Sequence, residues 1–325
     1  MSTRTGIIVL SSTPGMSRIQ SARRWRGLWT FLVGAAATLA VPAARGAVSF
    51  PMYVSSGTQS TIIQVNSAGV VSPFASLPAN SIPHGVAFDG SGNLYAADAN
   101  TDQISKVTSG GAVSLFATLS SGSHPSGLAF DGNGNLYAAD ITTNQISKIT
   151  PGGAVSLFAT LPVNSNPRGL AFDGSGNLYA ADLGNSQISK ITSGGAVSLF
   201  ADLPASSSPF GLAFDSGGDL YVAESTLLQI VKITSGGAVS LFATLSANSV
   251  PQGLAFDAGG NLYAADRNDQ VINKISPNGL TVSPFATTVA NPIYIAFAPV
   301  PEPSSAVLMA AVGASVLLRR RRSRA

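Results

Sequence analysis

The sequence predicts an all-β protein, a six-bladed propeller of four-stranded blades, and three observations predict it. A block of 42 residues recurs nearly unchanged, its period marked by Asp89, Asp131, Asp173, Asp215 and Asp257. Each block holds four short apolar runs bounded by turn residues, and no window carries a helical period. The two ends of the repeated region are incomplete in a complementary way, so together they supply one more block.

Residues 125–160 show the plan. Leu128-Ala129-Phe130 is a first strand. Asp131-Gly132-Asn133-Gly134 follows as a tight turn, with Asp at its first position and Gly at its fourth. Leu136-Tyr137-Ala138-Ala139 is a second strand and Gln145 to Ile149 a third. Gly152-Gly153 breaks the chain, and Ala154 to Phe158 is the fourth strand. Four short antiparallel strands per unit make a propeller blade. Aromatic residues hold fixed places in it: Phe130 and its counterparts in the first strand, Tyr137 and its counterparts in the second, Phe158 and its counterparts in the fourth. A lone unit of this length buries too little apolar surface to offset the entropy of ordering it, so each blade requires neighbours on both faces.

Five units are complete. At the start, Met52-Tyr53-Val54 aligns with a second strand, Thr61 to Val65 with a third and Val70 to Phe74 with a fourth. At the far end, Pro292 to Phe297 aligns with a first strand that nothing follows. The last strand is therefore expected to close the ring beside the first three, which also removes exposed sheet edges.

The repeat resembles the NHL repeat, and more loosely the six-bladed SMP-30/gluconolactonase-like and streptogramin-lyase-like propellers. The matching residues are Pro125-Ser126-Gly127-Leu128-Ala129-Phe130-Asp131 and Gly134-Asn135-Leu136-Tyr137-Ala138-Ala139-Asp140, with counterparts in each full unit. The resemblance implies the fold. It does not choose a function, because such propellers host enzymes and binding modules alike.

Both ends read as addresses, which divides the chain into 1–47, 48–298 and 299–325. Arg23, Arg24 and Arg26 precede an apolar stretch from Leu28 to Val41, and small residues follow through Ala47. This is the pattern of a secretory signal peptide, with a start at either Met1 or Met16 and an Arg23-Arg24 pair that leaves both the Sec and the twin-arginine routes open. The other end reads Pro301-Glu302-Pro303, an apolar run from Ala306 to Leu318, then Arg319, Arg320, Arg321 and Arg322. A helix over that run spans only about 20 Å, against a hydrocarbon core of about 30 Å. The tail resembles a PEP-CTERM sorting signal. That resemblance implies recognition by an exosortase-type enzyme after passage through the secretion machinery, with a transmembrane helix held transiently in the inner membrane. The implied destination is the surface or extracellular matrix of a Gram-negative-type bacterium.

The net charge of +3 belongs to these ends. Between residues 48 and 298, seven Lys and Arg stand against fourteen Asp and Glu, a net charge of −7. Nucleic acid is therefore excluded as a natural partner. The chain has no Cys, hence no disulfide and no thiolate chemistry.

Three sets of residues are candidates for function, and strand direction gathers the first two on one face of the ring. The residue after each leading Pro reads His84, Ser126, Arg168, Phe210, Gln252 and Ile293, six different side chains in nearly identical surroundings. Varied chemistry around the channel mouth suits a ligand pocket; unconstrained drift at an exposed position is the alternative. The acid ending each second strand reads Asp98, Asp140, Asp182, Glu224 and Asp266. These form either a carboxylate ring for Ca²⁺ or another divalent cation, or turn caps accepting backbone N–H groups, and their regular recurrence favours the caps. The metal-dependent relatives that the resemblance suggests use an irregular set of acids instead. The third set is the two histidines, His84 and His124, which a lyase or hydrolase would pair with Glu224 and Asp266 across the channel. Asp89-Gly90-Ser91-Gly92-Asn93 mimics the start of a calcium loop, but Leu94 stands where such a loop needs Gly and Asn100 where it needs Glu, so a β-turn is expected. Lys106, Lys148, Lys190, Lys232 and Lys274 recur as a structural ladder.

The sequence thus favours an exported, surface-sorted propeller that binds a ligand, extracellular glycan or surface protein without a required cofactor. The alternative is a secreted metal-dependent lactonase-like or lyase-like enzyme working at the channel mouth.

Overall fold

The computed structural model describes residues 48–288 and 291–299. The segment expected to be a signal peptide and the tail beyond Pro299, where a short apolar helix is expected, lie outside the described residues. No helix among the described residues is long and apolar enough to cross a membrane. The described chain forms six four-stranded antiparallel sheets, each one blade. Blade 1 is composite: its first strand is Pro292–Pro299, followed by Val48–Ser56, Thr61–Val65 and Val71–Ser76. Tyr53 pairs with Ala296 and Val54 with Ile295 in that junction. Blades 2 to 6 are contiguous and begin at Pro83–Phe88, Pro125–Phe130, Pro167–Phe172, Pro209–Phe214 and Pro251–Phe256. The first strand of blade 1 touches those of blades 2 and 6, so the ring is closed.

The local chemistry repeats with the sequence. In blade 3, Asp131 Oδ1 accepts the backbone N–H groups of Asn133 and Asn135 at 2.9 and 2.8 Å. Its Oδ2 accepts Asn135 Nδ2 at 2.8 Å and the Tyr137 hydroxyl at 3.2 Å. The carboxylate is fully occupied by its own turn, which is the β-turn expected from the sequence. Opposite Tyr137 across the ladder stands Lys148, its Nζ 5.5 Å from the ring centroid. All five repeat lysines sit over their repeat tyrosines in this way, at 5.4 to 5.8 Å.

The core lies between blades. Second strands such as Leu136–Asp140 are buried at every residue, because a blade covers each face. Tyr137 meets Phe158 of its own fourth strand at 4.8 Å and Phe172 of the next blade's first strand at 5.1 Å, both edge-on. The same triad closes the ring, where Tyr263 meets Phe285 at 5.2 Å and Phe297 at 5.4 Å. The sequence assigned three aromatics to each blade; the structure shares each triad between two blades.

The channel is narrow for a reason legible in five glycines. Gly85, Gly127, Gly169, Gly211 and Gly253 follow the variable residue of blades 2 to 6, and each lies against the next first strand. A Cβ on Gly169 would stand 2.3 Å from the carbonyl oxygen of Phe210. The sixth position is Tyr294. Its ring projects into the space the glycines leave, 5.5 Å from the Phe210 ring, and its hydroxyl is 3.4 Å from Ser126 Oγ.

Candidate functional site

Each first strand in blades 2 to 6 breaks register between its Pro and the residue three further on, for example between Pro167 and Leu170. The two intervening residues are thereby released from the ladder, and where the first of them turns to the channel it lines a cavity of about 320 Å³. His84, Arg168, Phe210, Gln252 and Ile293 all line it, five of the six residues read as a ring. Ser126 does not. It is buried and faces the Tyr294 hydroxyl.

A second ring completes the wall. The residue after each strand-ending acid also varies, and four of that set line the cavity: Gly57, Leu183, Ser225 and Arg267. Sequence reasoning stopped at the acid and missed its neighbour, although the signal was the same one, variation inside a repeated frame. Ser208 and Thr226 finish the rim. Thr226 Oγ1 donates to Ser208 Oγ at 2.9 Å, and Ser225 Oγ donates to the Pro251 carbonyl at 2.7 Å.

The cavity is electropositive. Its two guanidinium groups, Arg168 and Arg267, have no ion-pair partner among the described residues; both ion pairs there belong to Lys232. Arg168 stacks over Phe210, its Cζ 5.4 Å from the ring centroid. Burial works against the Arg168 charge, and Arg267 adds to that effect. Burial, together with the charges of Arg168 and Arg267, lowers His84 to about 4, so its imidazole is neutral at pH 7. His84 Nδ1, Arg168 Nε and Gln252 Oε1 are buried without a hydrogen-bond partner. His124 is exposed and does not line the cavity.

The strand-ending acids lie behind this wall. Ser105, Ser147 and Ser189, each on the adjacent third strand, donate to Asp98, Asp140 and Asp182 at 2.5 to 2.6 Å. Blade 5 has Val231 in place of the serine, and there Glu224 accepts Gln229 Nε2 at 2.5 Å instead. In blade 6, Asp266 accepts Ser249 Oγ, Asn273 Nδ2 and the Val250 N–H. The partners are therefore mostly cross-strand side chains; only Asp266 shows the backbone caps that turn chemistry predicted. No three His, Asp or Glu side chains among the described residues stand together as a metal ion would need, so the five acids do not fit a shared cation site.

Burial pushes Asp98 up to about 6 and Asp140 and Asp182 up to about 7, with the serine bonds opposing the shift. A carboxyl raised in the folded state keeps its proton where the unfolded chain has released it. Its contribution to stability is complete below about pH 4 and is lost as pH rises to 6 or 7. The turn acids act oppositely. Burial pushes Asp89 up, but hydrogen bonds from Asn93, Ser91 and Tyr95 outweigh it and hold the group below its ordinary value, so its contribution fades in stronger acid. The propeller is therefore expected to melt several degrees higher at pH 5 than at pH 8, and Asp140→Asn should flatten that difference in thermal unfolding. A melting temperature that rises from pH 5 to pH 8 would count against these buried acids.

A closed propeller with a small cationic cavity at its channel mouth is the class that fold and site define. The chain belongs to the virginiamycin B lyase family, whose profile matches residues 32–275. A PEP-CTERM protein-sorting motif matches residues 299–322, which marks an exported, sorted protein and implies processing by exosortase-type machinery. Selenomethionine-substituted virginiamycin B lyase from Staphylococcus aureus is 21% identical with a TM-score of 0.64, over 78% of this chain and 92% of that one. A catalytically inactive histidine-to-alanine form of that enzyme, solved with quinupristin, matches similarly, at 19% identity and a TM-score of 0.62 over 79% of this chain and 94% of that one. The nidogen/laminin complex includes a chain 17% identical with a TM-score of 0.65, over 78% of this chain and 99% of its own. A calcium-binding regucalcin from Agrobacterium tumefaciens is 14% identical with a TM-score of 0.56, over 65% and 76%. At these identities the likeness is one of fold. No curated relative matches the sequence.

Proposed function

We propose that this propeller is a binding module delivered to the cell surface or extracellular matrix of a Gram-negative-type bacterium, where its channel mouth holds a small ligand or the end of a surface polymer without transforming it. The observation that carries this reading is the make-up of the cavity. Two unpaired arginines, a neutral imidazole and a glutamine face apolar Leu183, Phe210 and Ile293, and no carboxylate lines it. Such a wall can orient and hold. It lacks the paired acid and base that proton-transfer chemistry uses, because Glu224 and Asp266 are fully buried and do not line it. The reading requires no cofactor.

The competing reading is a lyase-type enzyme. It is favoured by the family and by the related lyase whose histidine-to-alanine form is inactive. His84 is the histidine of this cavity.

One experiment separates the two. The purified full-length chain is screened against sugars and surface-glycan fragments, and in parallel incubated with quinupristin and with simple lactones, followed by chromatography, each with and without a chelator. The expected result is a bound ligand whose affinity falls about tenfold or more in the Arg168→Ala/Gln252→Ala double variant, with no conversion and no effect of the chelator. Turnover that disappears in His84→Ala, or in chelator, would establish the enzyme reading instead.

A further inference from the structure

The propeller has seven cations between residues 48 and 298. Five are the repeat lysines, each stacked on a repeat tyrosine. The other two, Arg168 and Arg267, are the only ones that break the repeat, and both line the same cavity. They come from blades 4 and 6, at different positions of the unit, so no single feature of the repeat places them together. Around them the propeller is acidic, with a net charge of −7. All of its non-repeating positive charge is concentrated in one concavity without a counter-ion among the described residues.

Burial and the neighbouring charge of Arg267 both work against the Arg168 charge, and an anion in the cavity offsets both. Guanidinium groups select planar carboxylates by paired N–H donation. Carboxylate alone leaves the cavity unsatisfied. Gln252 Oε1 is a buried acceptor without a donor, and so is one ring nitrogen of a neutral His84, whose Nδ1 has no partner. Acceptors of this kind call for O–H or N–H donors, and the hydroxyls of a sugar ring supply them. Phe210, Leu183 and Ile293 supply an apolar side for the C–H face of a ring. A volume of about 320 Å³ is at the small end for a ligand pocket and suits one sugar ring.

We propose that the cavity is a site for a hexuronate, a ring sugar acid whose carboxylate sits between Arg168 and Arg267 and whose hydroxyls donate to Gln252 Oε1 and the His84 ring. This rests on the reading of the channel mouth as a binding site and names what it takes. The ligand is either a free sugar acid or the terminal residue of an acidic polysaccharide, since both present the same group.

The test is calorimetric titration of the full-length chain, in mild detergent, with D-glucuronate, D-galacturonate, D-glucose and inorganic sulfate. At least one uronate is expected to bind, with glucose and sulfate each weaker by about tenfold or more. Arg168→Gln and Arg267→Gln should each weaken uronate binding about tenfold or more. Gln252→Met should weaken uronate while leaving sulfate unchanged. Arg267 is exposed, so Arg267→Gln serves as the folded probe if Arg168→Gln fails to fold. Methyl glucuronoside binding as well as glucuronate supports the site and identifies a polymer terminus as the source; a preference for the free acid supports it and identifies a free ligand. Glucose equal to the uronates, sulfate equal to the uronates, or uronate affinity unchanged in Arg267→Gln would each overturn the assignment. A neutral sugar that binds, and is lost in Phe210→Ala, would overturn the uronate while leaving the binding module intact. If none of these probes binds, the uronate falls; the binding module falls with it only if the wider screen of sugars and surface-glycan fragments also finds no ligand.

Discussion

Gly169→Ala is expected to cost the propeller about 3 kcal/mol or more, or to prevent folding. The added Cβ would meet the Phe210 carbonyl oxygen at 2.3 Å, the Leu212 nitrogen at 3.0 Å and the Gly211 Cα at 3.1 Å. These are backbone atoms of the next blade, and no side-chain rotation relieves them. In an open sheet stack the neighbour could retreat. In a closed ring its retreat presses on the following blade, where a Cβ on Gly211 would likewise meet the Gln252 carbonyl oxygen. The control is Gly132→Ala, at a turn where nothing stands within 4 Å of the new methyl. Thermal and urea unfolding of both variants should show a large loss for the first and almost none for the second. Equal melting temperatures would mean that the first strands are not held backbone to backbone.

A chain ending at Thr288 should lose cooperative folding that a chain ending at Pro299 retains. The missing strand, Pro292–Pro299, is the first of blade 1 and the one that closes the ring. It buries Ile293, Tyr294, Ile295 and Phe297. At roughly 1.5–3 kcal/mol for each large apolar side chain, its burial contributes about 6–12 kcal/mol gross, which approaches the roughly 5–15 kcal/mol of a typical domain's stability. Truncation also leaves Val48–Ser56 as a bare edge and removes Phe297 from the Tyr263 ring. Broad, non-cooperative melting and aggregation are expected, with partial recovery when a peptide of residues 291–299 is added. A sharp transition in the shorter chain would show that five blades and three strands suffice.

Much of this was legible before any coordinates, because repetition converts one unit into a rule for the rest. The strand order, the composite blade 1 and the turn aspartates all followed from spacing and from two complementary ends. Part of the cavity was legible for the opposite reason: His84, Arg168, Phe210, Gln252 and Ile293 stood out by differing. Besides the second ring of lining residues, three things were not read. Periodicity says which position an aromatic holds but not which blade it touches, so the shared Tyr137 triad was assigned to one blade. The acids were weighed as ligands or turn caps, whereas Asp140 answers to Ser147 on the next strand; the concurrent change to Glu224 and Val231 in blade 5 was the available signal. Tyr294 in the place of a repeat glycine was also visible in the sequence, and it explains why Ser126 leaves the ring of lining residues for the channel interior.

The shared aromatic triads have a consequence for how such a gene changes over time. A 42-residue block such as 131–172 holds one tyrosine, Tyr137, and both of its phenylalanines, Phe158 and Phe172. Slippage between near-identical repeats that deletes or duplicates one block therefore leaves every surviving triad whole, and local packing does not register the event. What registers it is the circle. Five glycines and one tyrosine set a girth at which six first strands meet around a single plug, so copy number is counted at the axis while the rest of the blade remains free to be copied.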